Sequence, residues 1–99
     1  MSSRVRRSSG NVYRDLGFPP EEAANLQARS DMMIQLTRIL EARSLTQAAA
    51  AKLLGVTQPR VSDLMRGKID RFSIDNLVEL LSRAGFRVTF MLKPSRKVA

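Results

Sequence analysis

The sequence predicts an all-α fold, a bundle of about five short helices built around a helix-turn-helix, with one β-strand at its C-terminal end. Three observations predict it. Apolar residues recur at helical spacing between residues 20 and 85, two short helix-forming stretches are separated only by Gly55 and Val56, and the apolar period switches to two after Gly85. The chain has 99 residues, enough for one small domain. Charge and composition divide it into a basic, flexible arm (1–19), a helical domain (20–85, with the helix-turn-helix at 45–67), and a strand with a basic tail (86–99).

The arm carries Arg4, Arg6, Arg7 and Arg14 among Ser, Gly and Asn, and shows no helical or strand period before Pro19–Pro20. It reads either as a solvated tail or as an arm lying along phosphates or a partner protein. From Pro20 the pattern changes. Pro is tolerated in a first helical turn, Glu21 and Glu22 suit a helix N-terminus, and Leu26, Met33, Leu36, Ile39 and Leu40 recur at core spacing. One helix, or two broken near Ser30–Asp31, runs to about Arg43. Its acids slightly outnumber its bases, which assigns it to packing.

Thr46 is a suitable N-cap for a short helix through Leu54, and Gly55 ends that helix. Thr57 caps a second helix that carries Pro59 in its first turn and closes near Arg66–Gly67. Helices joined by so short a connection cannot lie antiparallel. They must cross steeply, as in a helix-turn-helix. Ala51 puts only a methyl at the close approach, Gly55 supplies a positive φ, and Val56, Val61 and Leu64 face the core.

Ser73 caps a further helix with Ile74, Leu77, Leu80 and Leu81 at core spacing, ending near Ala84–Gly85. Beyond it Phe86, Val88, Phe90 and Leu92 alternate with Arg87, Thr89 and Met91 as in a strand, and Pro94 stops the run before Ser95, Arg96 and Lys97. A lone strand needs a partner for its backbone. The expected partner is the same strand of a second copy across a twofold axis. The alternatives are an extended tail packed on the helices, or an edge completed by a different protein.

The chain holds 17 Lys and Arg against 9 Asp and Glu, a formal charge of +8, which points to a polyanionic partner. It has no Cys and no His, which removes thiol nucleophiles, His-based acid–base pairs and Cys/His metal sites. No enzyme activity, cofactor or metal is expected. Basic residues at the N-terminus have no apolar stretch behind them, so the reading is a cytoplasmic chain without a membrane partner.

A helix-turn-helix presents the start of its second helix to base edges in the major groove. Here those residues are Gln58, Pro59, Arg60 and Asp63. Gln contacts adenine and Arg contacts guanine through paired hydrogen bonds, each worth about 1–3 kcal/mol of discrimination. Asp63 is suited either to a cytosine amino group or to holding Arg60 or Arg66 in place. Gln47, Thr57 and Ser62 are sized for phosphate oxygens, and Arg66, Lys68 and Arg71 follow the helix as phosphate-neutralising cations. With one Tyr, four Phe and no Trp, stacking platforms are sparse, which favours duplex DNA over single strands.

Residues 45 to 67, LTQAAAAKLLGVTQPRVSDLMRG, resemble the helix-turn-helix of Xre-type regulators, the group with the lambda-repressor-like fold. The blocks SSGNVYRDLGFPPEEA and RGKIDRFSIDNLVELLSRAGFRVTFMLKP extend the likeness to compact HigA-like antitoxins and their orphan relatives. The resemblance implies a prokaryotic, dimeric repressor on a palindromic operator in its own promoter. It also implies an alternative, an antitoxin whose main role is neutralising a RelE-superfamily toxin. Gln47 and Thr57 match phosphate-contacting positions of the family, and Gln58, Pro59 and Arg60 match its base-facing ones. Asp63 departs from the amide or hydroxyl residue common in phage-type relatives.

Overall fold

The computed structural model describes residues 11–94. Arg4, Arg6 and Arg7 of the expected arm and Ser95, Arg96 and Lys97 of the expected tail lie outside them. The described residues form five α-helices: α1 (Val12–Asp15), α2 (Pro20–Ala42), α3 (Gln47–Leu54), α4 (Gln58–Met65) and α5 (Ile74–Arg83), with a 3-10 turn at Ile69–Arg71.

Helix α2 is continuous through Ser30–Asp31, and its 23 residues make a rod of about 35 Å that α1, α4, α5 and the 3-10 turn pack against. It buries Ala23, Met33, Leu36 and Leu40. Opposite them lie Ala50, Ala51 and Leu54 of α3, Val61 and Leu64 of α4, Phe72, and Leu77, Leu80, Leu81 and Ala84 of the α5 region. Among the described residues the buried set contains no polar or charged side chain, so the core is held by apolar burial alone. Thr46, Thr57 and Ser73 cap α3, α4 and α5 through their hydroxyl oxygens, as their sequence positions predict.

Helix α1 lies in the segment that charge had grouped with the arm. Asn11 caps it, its Oδ1 accepting from the Tyr13 and Arg14 N–H groups, and the Asn11 Nδ2 donates 3.1 Å to the Ala23 carbonyl. That bond ties α1 to the start of α2. Tyr13 and Phe18 then meet edge-to-face with centroids 6.0 Å apart.

Every helix ends the same way. A residue with positive φ reverses the chain, and the next N–H returns to a carbonyl five residues back: Phe18 to Tyr13, Leu45 to Leu40, Val56 to Ala51, Lys68 to Asp63 and Phe86 to Leu81. Four of the reversals use Gly. The α2 reversal uses Ser44, at φ +53°, a left-handed conformation in which a Cβ costs roughly 1 kcal/mol.

The expected C-terminal strand does not form. After Gly85 no described residue is in a strand. Alternation supplies the pleat but not the partner, and the partner is what defines a strand. Nor do the alternating residues share a buried face: Val88 packs against the core, whereas Phe86, Phe90 and Leu92 are 47%, 69% and 93% exposed. The dimer-strand role expected for Phe86, Val88, Phe90 and Leu92 is withdrawn with it. The segment carries no regular secondary structure and leans on α2 and α5 through Val88.

Gly55 stands closest to its surroundings, since a Cβ there would lie 2.8 Å from the Arg83 Nη1 as well as at φ +69°. Gly55→Ala is therefore expected to destabilise the fold by at least about 1 kcal/mol. Ser44→Gly, which relieves the same conformation without a clash, should stabilise it by about 0.5 kcal/mol once the entropy of glycine is offset. Opposite shifts of the thermal midpoint check the pair.

Candidate nucleic-acid interface

The turn between α3 and α4 sets the geometry of the interface. Leu54 ends α3, Gly55 reverses the chain, and Val56 bonds back to the Ala51 carbonyl at 3.0 Å. Arg83 closes the turn from outside, its Nη1 donating 2.9 Å to the Leu54 carbonyl. A helix C-terminus leaves such carbonyls without intrahelical partners, and here α5 supplies one. Thr57 then starts α4, its Oγ1 accepting from the Arg60 N–H.

This geometry leaves Gln58 and Pro59 exposed at the first turn of α4. Arg60 points elsewhere. Its Nη1 donates to the Arg71 carbonyl and its Nη2 to the Asn76 Oδ1, both at 2.6 Å, while its guanidinium lies 4.1 Å from the centroid of the buried Phe72 ring. Asp63 is paired with Arg71, Oδ2 to Nη1 at 3.1 Å, so the cation it holds is neither Arg60 nor Arg66. Gln47 and Thr57 are exposed, Ser62 is half-buried, and Arg66, Lys68 and Arg71 follow α4, with Lys68 half-buried.

A shallow pocket of about 390 Å³ opens beside the start of α5, lined by Arg29, Arg60, Arg71, Ser73 and Asn76. Arg29 bridges it to the long helix, its Nη1 donating to the Ile69 and Phe72 carbonyls at 3.1 and 3.2 Å. Arg29, Phe72, Asn76 and Arg83 escaped sequence reasoning because their partners lie 12 to 43 residues away along the chain. Among the described residues no cluster of acids could hold a metal ion, and no helix is long and apolar enough to cross a membrane.

Two short capped helices crossing at a left-handed turn, with the second presenting an exposed first turn, define a helix-turn-helix protein. Over residues 12–93 the sequence matches the family described as a helix-turn-helix domain, and the chain belongs to that family. No curated protein matches it. A solved chain named "Putative XRE Family Transcriptional Regulator" superposes with a TM-score of 0.70 at 29% identity, over 79% of this chain and 88% of that one. Family and neighbour agree with the Xre-type resemblance of residues 45 to 67.

The cap and the ion pair separate by size. Thr57→Ala should cost about 1 kcal/mol, because it removes the side-chain cap and leaves the Arg60 N–H only its bond to the Thr57 carbonyl. Asp63→Ala should cost about 1 kcal/mol or less, because Asp63 is only 18% exposed but its partner Arg71 is 52% exposed, so water and salt screen the pair from that side. Urea denaturation at low and high salt checks both, and only the Asp63 effect should shrink as salt rises.

Proposed function

We propose that this chain is a sequence-specific, duplex-DNA-binding transcriptional regulator that acts as a homodimeric repressor of its own operon. The carrying observation is the exposed start of α4, where Gln58 and Pro59 project from a helix fixed at both ends. In this reading Gln58 reads a base edge and Pro59 supplies apolar contact, the apolar mode suiting a thymine methyl. Gln47, Thr57 and Ser62 meet phosphate oxygens, and Arg66 and Lys68 neutralise flanking phosphates. Arg71 adds a cation held in position by Asp63.

A twofold dimer suits a palindromic operator with half-site centres about one helical turn apart. Repression follows if the operator overlaps the promoter.

A second reading, the antitoxin, is favoured by a separate surface. Val12, Leu16 and Phe18 are 54%, 69% and 40% exposed beside the acidic Glu21 and Glu22 at the start of α2. An apolar patch with an acidic rim suits a basic protein partner, which the resemblance identifies as a RelE-superfamily toxin. Co-expression with a neighbouring small basic gene product tests it. Leu16→Glu should abolish co-purification and leave DNA binding unchanged.

Fluorescence anisotropy on duplexes from upstream of the gene, against a shuffled duplex, tests the main reading. One upstream duplex should bind at least about 10³-fold tighter than the shuffled one. Gln58→Ala should relax preference at one base pair per half-site, worth about 1–3 kcal/mol, while Lys68→Ala should weaken all duplexes alike and reduce the salt slope by about 1 per subunit. Equal binding of the upstream and shuffled duplexes would sink the regulator reading.

A further inference from the structure

We propose that Arg60 is a positioning residue that sets the presentation of α4, and not a reader of base edges. The proposal rests on the regulator reading of α4 and concerns how its specificity is built. Arg60 and Asn76 occupy the same place in their helices, the third residue after the cap: the Arg60 N–H bonds the Thr57 hydroxyl, and the Asn76 N–H bonds the Ser73 hydroxyl at 3.1 Å. Their side chains bond each other across the gap. The beginnings of α4 and α5 are thereby tied together by one side-chain bridge.

The rest of the guanidinium reinforces the tie. One terminal nitrogen donates to the Arg71 carbonyl, the other to Asn76, and the plane rests on Phe72, itself only 2% exposed. A bidentate guanine contact needs that same fork. Releasing it would break two charge-assisted bonds and a cation–π stack, leaving the Arg71 carbonyl without this donor. Gln58 and Pro59 sit one and two residues before Arg60, so the tie fixes the part of α4 that would meet the groove. A 1 Å displacement there exceeds the roughly 0.5 Å range over which a hydrogen bond keeps good geometry.

Lys is the informative substitution because it keeps the charge and loses the planar fork. A base-reading arginine would be partly replaced by lysine, which also contacts guanine. A brace made by stacking and two diverging bonds would not be.

The experiment uses the full chain as wild type, Arg60→Lys, Arg60→Ala, Asn76→Ala and the Arg60→Ala/Asn76→Ala double variant. Each is put through selection from a random duplex pool, anisotropy on the winning duplex and a shuffled one well below the melting temperature, and thermal unfolding. Arg60→Lys and Asn76→Ala should select the wild-type motif with no base position lost. Their affinity for the winning duplex should fall about tenfold, the size of one charge-assisted hydrogen bond, while the shuffled duplex changes by less than about twofold. Each single variant should lower the melting temperature by about 4–8 °C, and the double should fall no further than Arg60→Ala alone.

A purely structural brace would move the melting temperature and leave the ratio of the two affinities unchanged, which overturns the positioning role. Loss of preference at a single base pair in Arg60→Ala that Arg60→Lys partly restores, with Asn76→Ala like wild type, makes Arg60 a reader and overturns the proposal. Additive thermal effects overturn the tie alone. A wild-type chain that selects no motif overturns the regulator reading, and the positioning role with it.

Discussion

The direction of α4 depends on a single reversal, the left-handed turn at Gly55. With only Gly55, Val56 and the cap Thr57 between two eight-residue helices, little chain is left to absorb error, and the left-handed residue dominates the crossing. Arg83 makes that reversal part of the scaffold by donating to the Leu54 carbonyl from α5. The constraint is reciprocal: a Cβ at Gly55 would lie 2.8 Å from the Arg83 Nη1, so a side chain there would have to adopt the left-handed conformation and also shift the guanidinium from the carbonyl it donates to.

The same solution recurs at the other joints. Arg29 donates to the Ile69 and Phe72 carbonyls, Arg43 to Ala84, and Arg60 to Arg71, so cations from separate elements satisfy carbonyls at the ends of turns and helices. A core without polar side chains cannot specify register by hydrogen bonding, because apolar contact is non-directional. The arginines supply the missing direction from the rim. Their planar, pre-organised donors lose less freedom per bond than lysine would, and Arg43 and Arg60 add contact with the faces of Phe86 and Phe72.

This explains which parts of the molecule were legible in the sequence. The caps at Thr46, Thr57 and Ser73 and the stops at Gly55, Gly67 and Gly85 depend on chemistry within a few residues, and all six were readable. The Ser44 reversal was not, since serine carries no signature of a left-handed residue. Helix α1 is too short to show a period, although Asn11 ahead of it was a cap signal. The strand reading failed because alternation is local and pairing is not. At the interface, sequence located the exposed turn of Gln58 and Pro59 but could not aim Arg60, whose direction is decided by Arg71, Phe72 and Asn76, 11 to 16 residues further on.

The internal use of arginine changes what the charge of +8 means. A guanidinium bonded to a carbonyl keeps its charge, so Arg29, Arg43, Arg60 and Arg83 still contribute to the long-range field that attracts a polyanion. They contribute it from fixed positions and without a free fork. On the proposed reading attraction and discrimination are carried by different atoms: the field by all the cations, four of them tied into the frame, and the reading by uncharged side chains at the start of α4. In such a division, adding surface cations strengthens binding to any duplex, whereas selectivity follows the rigidity of the joint that holds α4 against α5.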